Sequence, residues 1–527
     1  MSGKTAAVIK RGGNPREPGK KNASRRRNVS RGRKATGVRK RILFAASEVY
    51  PLIKTGGLAD VACYLPVALK ESGQDIRIVM PAYRSVLDHV KELKANEGRL
   101  ISEIGIHFRI LETKLPGSKV IVYLVDIPEF YDRPGGPYQG TDGLDWPDNA
   151  RRFAAFCRII RLLSLGLAGI NWIPEILHVN DWHTGLAPAL LAADSDRPAM
   201  VFTIHNLSYQ GDFPFDTFSA LNLPVDLWSP DALEFYGRMS FIKGGLVYAD
   251  RLTTVSPEYA REITTPEYGC GMEGLLRTRS DRLSGILNGV DYRIWDPRHD
   301  PMIDHHYWIP GIEDKKINKR YLQRVLGLKD DDSSVLLAHV SRLAWQKGID
   351  LVIEGLPDLL ADKHVQLVIL GAGEAHYEEA LRAAAQGMPD RMSVKTAYDE
   401  VLAHRIQAGA DIMLMPSRFE PCGLTQLYSL RYGTLPVVRN TGGLADTIID
   451  TNVGTLRDNT ATGFQFLRAE LAEYMAATRR AISLHRSSPE IWKRIMVTAM
   501  SQEFGWARSG EQYLSVYDTA LADLKVS

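Results

Sequence analysis

Three short stretches hold residue types that can handle a phosphate and a sugar. Lys54 immediately precedes Thr55-Gly56-Gly57-Leu58-Ala59-Asp60. A lysine at a strand-to-helix turn is a good phosphate partner, paired glycines let backbone approach a ligand closely, and a helix N-terminus favours an anion. The same six-residue string recurs as Thr441-Gly442-Gly443-Leu444-Ala445-Asp446. Read alone, each copy is equally a tight turn without ligand, and Lys54 a surface lysine. Neither copy matches G-x-G-x-x-G or the Walker pattern, so nicotinamide cofactors and ATP hydrolysis lose support. In Ser341-Arg342-Leu-Ala-Trp-Gln-Lys347-Gly348, two cations leave the end of the apolar run Val335–Val340. They can neutralise a departing diphosphate, which needs such help where no metal is present; a structural ion pair is the alternative. In Pro416-Ser-Arg-Phe-Glu420-Pro-Cys422-Gly423-Leu424-Thr425, a loop carboxylate precedes a helix start. Glu420 can accept sugar hydroxyls, and the amides of Gly423 to Thr425 can face phosphate. Cys422 reads as a small packing residue rather than a nucleophile.

The first half adds His178-Val-Asn-Asp181-Trp-His183 and Thr203-Ile-His205-Asn206, each at the end of an apolar run. A metal reading is weak, because no H-E-x-x-H or similar spacing is present. Asp181 and His205 fit contacts to polar substrate groups better, and His305-His306 reads as a loop pair. Tyr398 follows Met392–Val394 and can stack on a nucleobase; its alternative is a half-buried aromatic.

Positioning these groups requires a particular scaffold. Apolar runs at 41–47, 76–80, 120–125, 176–179 and 200–204 alternate with helical patterns such as 150–167. The rhythm restarts after about residue 300 with runs at 335–340, 365–370, 392–394, 412–415 and 435–438. Buried strands alternating with helices predict parallel sheets covered on both faces. The chain therefore reads as α/β, with two doubly wound Rossmann-like domains facing a central cleft and a boundary region near 296–310. At 527 residues and 45% hydrophobic it is long and apolar enough for two or three globular domains. Residues 1–40 hold 14 of the 65 Lys and Arg but one of the 62 acids, leaving 51 basic against 61 acidic side chains elsewhere. The net charge of +3 is thus a basic tail on a mildly acidic body, and nucleic-acid binding is not expected beyond non-specific contact by that tail. The tail has too few apolar residues to fold and is expected to be disordered; a transit peptide is a further reading of it. No run reaches the roughly 20 apolar residues of a membrane span, and no N-terminal apolar run resembles a secretory signal. Four scattered cysteines suit a reducing compartment.

Taken in order, Lys-Thr-Gly-Gly-Leu-Ala-Asp, Ser-Arg-Leu-x-x-Gln-Lys-Gly, Pro-Ser-Arg-Phe-Glu-Pro-Cys-Gly-Leu-Thr-Gln-Leu and the second Thr-Gly-Gly-Leu-Ala-Asp resemble the bacterial glycogen synthase family, which includes the plant starch synthases. The resemblance covers residues 41–527. It implies the GT-B fold, with an acceptor domain over 41–290, a nucleotide-sugar domain over 291–500, and a segment 501–527 returning to pack on the first. It implies transfer of glucose from ADP-glucose to the non-reducing 4-hydroxyl of an α-1,4-glucan, with retention, without metal or other cofactor, in the cytoplasm. It assigns Lys54, with Gly56 and Gly57, to the donor diphosphate, and Arg342 and Lys347 to the phosphates. Glu420 falls at the transferred glucose, His205 beside the anomeric centre and 6-hydroxyl, and Asp181 at the acceptor side. Asn206, Asn288, Cys422, Gly423, Leu424 and Thr425 complete the substrate contacts, with Tyr398 on adenine. Tyr428 stands where many relatives of this fold carry a second, ribose-binding acid, so ribose must be held otherwise. One donor-side carboxylate rather than the pair of a hydrolytic glycosidase points to front-face departure assisted by the leaving phosphate. The competing readings are a UDP-sugar or other-acceptor transferase, starch rather than glycogen as product, and a non-catalytic glucan-binding homologue.

Overall fold

The computed structural model describes residues 38–90, 94–96, 100–101 and 105–526. The tail expected over 1–40 therefore lies outside the described residues except for its last three. Of these, Lys40 is buried, its amide donating to Gln74 Oε1 at 2.8 Å and its ammonium 2.8 Å from Asp518.

Among the described residues two large sheets carry the fold. The first runs, edge to edge, Leu283–Gly285, Arg251–Thr254, Ala199–Ile204, Ile176–Asn180, Arg41–Ala45, Asp75–Pro81, Ile121–Asp126, Arg109–Lys114, Lys94–Asn96. The second runs Met392–Lys395, Val365–Leu370, Val335–Val340, Ile412–Met415, Leu435–Arg439, Phe464–Phe466, all parallel. Strands such as Ile176–Asn180 and Val365–Leu370 are buried at every position, as unbroken Val/Ile/Leu runs require when both faces of a parallel sheet are covered. In each sheet the strand order reverses beside the first strand: between Arg41–Ala45 and Ile176–Asn180, and between Val335–Val340 and Ile412–Met415. Ligands of open α/β sheets bind where the order reverses, beyond the carboxyl ends of the strands. The loops leaving these four strands begin at Ala46, Asp181, Ser341 and Pro416.

One expectation is corrected. The first sheet is mixed, because Arg109–Lys114 pairs antiparallel with both of its neighbours; its alternation of charge with Ile and Leu is that of a half-exposed antiparallel strand, not a buried parallel one. The helix after the Glu420 loop runs Thr425–Tyr432 and is capped by Gly433 in the left-handed conformation. The 296–310 region, read as a boundary, is well packed. Trp295, Ile303 and Tyr307 join Tyr432 and Met500 in a core of their own. Asp296, fully buried, holds Arg431 at 2.6 Å and Arg298 at 2.6 Å. Beside it the chain crosses twice, and the crossings pair: Val290 N donates to Phe504 O at 2.7 Å. The helix Trp506–Val526 then packs on Gly57–Glu71 and on the strand Ala199–Ile204, with Tyr517 Oη 2.7 Å from His178 Nδ1.

Candidate active site

Each reactive side chain is set by the element behind it. In Gly57–Glu71, Leu58, Val61, Leu65 and Leu69 fall three and four apart and are buried, so the helix docks one face and aims its N-terminus out of the sheet. Gly56 and Gly57 stand there with no side chain in the way. A Cβ on Gly56 would meet nothing within 4 Å, and one on Gly57 only Leu424 Cδ1, at 3.9 Å. The loop amides are not free, however: Thr55 N and Gly56 N both donate to the carboxylate of Glu48, the latter at 3.2 Å. Glu48 is buried, and burial pushes its carboxyl up to about 7. Lys54 Nζ lies 2.9 Å from Asp60 Oδ1. Burial opposes the lysine's charge, but the carboxylate beside it holds the ammonium above its ordinary range.

In the second half, two loops meet. Gly348 has φ +68°, and a Cβ there would fall 2.1 Å from Pro416 O; only glycine lets the Ser341–Gly348 loop lie on the loop after Ile412–Met415. That contact brings Lys347 Nζ to 2.5 Å from Glu420 Oε2, which also accepts from Ser417 Oγ at 3.1 Å. His339, Ser341, Lys347, Ser417, Glu420 and Gly423–Thr425 line a single pocket. Arg342 is apart from it. Its guanidinium is exposed and reaches across the cleft to Tyr209 Oη at 3.3 Å. Tyr398, also exposed, stands near Lys54 and Glu400, and Tyr50 Oη donates to Glu400 at 3.4 Å from the opposite half. The half-buried alternative for Tyr398 does not hold. Cys422 is buried against the backbone and side chain of Asn288; burial pushes the thiol up to about 12, against the opposing hydrogen bonds from Asn288. The Oδ1 of Asn288 is buried without a hydrogen-bond partner.

The first-half polar groups form a second cluster. Asp181 has φ +54° and accepts from His205 N at 2.7 Å and Asn206 N at 3.4 Å; burial raises its carboxyl to about 7. Asn180 donates its amide to Ala45 O at 3.0 Å, so its Oδ1 accepts from His205 Nε2 at 2.9 Å. His205 is then a neutral ring with Nδ1 as acceptor, and burial lowers its pKa to about 3. Asn206 Oδ1 is taken up by Ser208. The histidines do not converge on a common point: His178 binds Tyr517 and Thr203, while His183 stacks on Tyr138 with ring centroids 4.5 Å apart.

The repeated string thus does two different jobs. The second glycine pair opens onto no ligand space; it packs on the backbone of the Glu420 loop, where a Cβ on Gly442 would fall 2.0 Å from Glu420 O. Tyr428 is half-buried, flat against Trp295 with ring centroids 3.8 Å apart, and lies outside the pocket. Glu48, Asp60, Ser417 and Tyr209 join the site without having been singled out. Asp60 closes the Thr-Gly-Gly-Leu-Ala-Asp string and Glu48 ends the first apolar run, so a signal existed for both. None existed for Tyr209, whose partner lies 133 positions away.

Comparison with known proteins agrees with this arrangement. The starch synthase catalytic domain model matches residues 41–278, and the glycosyl transferases group 1 model matches residues 322–465. Glycogen synthase 2 of Nitrosococcus oceani is 51% identical over 477 residues, 90% of this chain and 96% of its own. Glycogen synthase of Thioalkalivibrio sulfidiphilus is 51% identical over 478 residues, 90% of this chain and 99% of its own. Among solved structures, the catalytic domain of Starch Synthase IV from Arabidopsis thaliana, bound to ADP and acarbose, superposes with a TM-score of 0.84 at 30% identity, covering 92% of this chain and all of that one. Sucrose-phosphate synthase from Thermosynechococcus elongatus shares the fold at a TM-score of 0.58 and 14% identity. Two Rossmann-like sheets with their switch points facing one cleft define a GT-B glycosyltransferase. The chain belongs to the glycogen synthase family and is a glucosyltransferase. Among the described residues no helix is long and apolar enough to cross a membrane.

Proposed function

We propose that the chain elongates an α-1,4-glucan by transferring glucose from ADP-glucose with retained configuration. The observation that carries this is the Lys347–Glu420 pair at 2.5 Å, in a pocket at one sheet's switch point, opposite the Lys54 loop at the other's. Breaking a sugar–phosphate bond builds positive charge on the sugar and negative charge on the diphosphate. Lys54, Lys347 and Arg342 are the cations that take up the latter, and Glu420 faces the transferred glucose. Preorganised donors of this kind lower such a barrier by several kcal/mol in a water-poor cleft. His205, neutral with Nδ1 accepting, receives a sugar hydroxyl, and the unpartnered Oδ1 of Asn288 receives another. Asp181 serves the acceptor side, and Tyr398 stacks on the base. The acceptor hydroxyl attacks from the face the diphosphate leaves, and the departing phosphate oxygen takes its proton. The Arabidopsis structure bound to ADP and acarbose supports an adenine donor and a glucan acceptor.

One assay tests this reading. Labelled ADP-glucose and UDP-glucose are each offered with glycogen to the native chain and to Lys347→Ala. Incorporation is expected from ADP-glucose, and the variant should lose turnover by about 10²–10³ with little change in glycogen affinity. Incorporation from UDP-glucose alone would replace the donor. Incorporation from neither would leave a glucan-binding homologue.

A further inference from the structure

The second glycine pair has a neighbour on each side. Behind Glu420, Gly443 N donates to Glu420 O at 3.0 Å. A Cβ on Gly443 would fall 2.0 Å from Cys422 O, as one on Gly442 would from Glu420 O. Thr441–Gly443 is therefore a strap laid directly on the backbone that carries the carboxylate. Gly442 has φ +45°, so both its conformation and its contact require glycine.

The other side of the strap is held by the opposite half of the molecule. Glu262 ends the helix Pro257–Glu262, beside the first sheet's Leu283–Gly285. Its Oε1 accepts from Thr441 Oγ1 at 2.7 Å and from Gly442 N at 2.9 Å. One turn earlier in the same helix, Glu258 N donates to Asp446 Oδ2 at 2.7 Å. Glu262 Oε2 is buried without a partner. A buried carboxylate oxygen left unpaired costs free energy, so fold stability alone does not account for this side chain.

We propose that Glu262 is a positioning residue for the transfer reaction. Its grip on Thr441 and Gly442 fixes the strap, and the strap fixes the carbonyl of Glu420, so the first half steadies the backbone that carries the carboxylate. This rests on Glu420 being the carboxylate at the transferred glucose. Placement errors near 1 Å cost about 10² in rate, so a loosened strap should be visible in turnover and not in ground-state binding.

Steady-state kinetics of Glu262→Ala, Glu262→Gln and Glu420→Gln test it. Glu262→Ala is expected to lower kcat by about 10- to 100-fold with donor KM within about threefold. Glu262→Gln keeps an acceptor oxygen for Thr441 and Gly442 and should recover most of that loss. Unchanged kcat in Glu262→Ala, or no recovery in Glu262→Gln, overturns the proposal. If Glu262→Ala does not fold, Thr441→Val removes one of the two bonds and should show a smaller fall in kcat; native kcat there overturns it equally. Glu420→Gln separates the two readings. Loss of turnover in it with a native-like Glu262→Ala defeats the strap alone, whereas full turnover in Glu420→Gln defeats the role of Glu420 itself.

Discussion

At the scale of single residues, burial is the main cause of the shifted acidities of Glu48, Asp181 and His205. Glu48 is the clearest case. Its carboxylate takes the amides of Thr55 and Gly56, groups that a helix N-terminus would otherwise offer to phosphate. The first glycine loop is thus shaped by an internal carboxyl group, while the neighbouring Lys54 is held by Asp60. Burial raises the Glu48 carboxyl from its ordinary 4.5 to about 7. A carboxyl whose folded pKa is raised stabilises the fold below its unfolded pKa, and that contribution is lost as pH climbs to the folded one. Between pH 4.5 and 7 the native protein should therefore lose stability that Glu48→Gln does not. The midpoint of the variant relative to native should rise with pH through that window, by the equivalent of about 1–3 kcal/mol, and level off above it. Thermal unfolding of both proteins at pH 5 and pH 8 measures this. A difference independent of pH would mean that Glu48 is ionised throughout.

At the scale of elements, what the sequence made legible follows from how local each signal is. The strands Val335–Val340, Val365–Leu370 and Ile412–Met415 fall where the unbroken apolar runs place them. Arg109–Lys114 and Phe464–Phe466 were not readable, because a short or half-exposed strand carries no unbroken run. Lys347, Glu420 and Lys54 could be singled out from residue type beside a turn, and the structure pairs the first two with each other. The two Thr-Gly-Gly copies could not be told apart, since nothing within six residues distinguishes a glycine facing solvent from one facing a carbonyl; that depends on what the fold brings opposite it. The two copies therefore make a controlled comparison. Gly56→Ala adds a methyl to open space at φ −151°, which any residue adopts. It should leave the fold intact and raise donor KM. Gly442→Ala drives a methyl into Glu420 O at positive φ and should cost about 1–3 kcal/mol of stability together with kcat. Denaturation midpoints and kinetics on both variants check this, and equal behaviour of the pair would sink the distinction.

At the scale of the whole molecule, few polar contacts span the cleft at the site: Arg342 to Tyr209, Tyr50 to Glu400, Arg439 to Tyr268 at 3.0 Å, and the Glu262 and Asp446 bonds. Bonds of this kind contribute only about 0.5–1.5 kcal/mol each, so these polar contacts hold the cleft by no more than several kcal/mol. The pivot available is the paired crossing, where Val290 bridges Gly505 and Gly289 lies against Trp506. Lys54 stands on one half and Arg342 and Lys347 on the other, so a diphosphate bound between them would be held from both sides. Substrate should then be the agent of closure, as in enzymes whose binding energy assembles the catalytic group. Small-angle scattering of the native chain with and without ADP should show the radius of gyration contracting on addition. The doubly substituted Lys54→Ala, Arg342→Ala chain should contract far less at ADP concentrations that saturate the native protein, because the charge that draws the halves together is gone. Contraction of the double variant to the native extent at those concentrations would show that these two cations do not drive closure, and that the nucleotide base must do so instead.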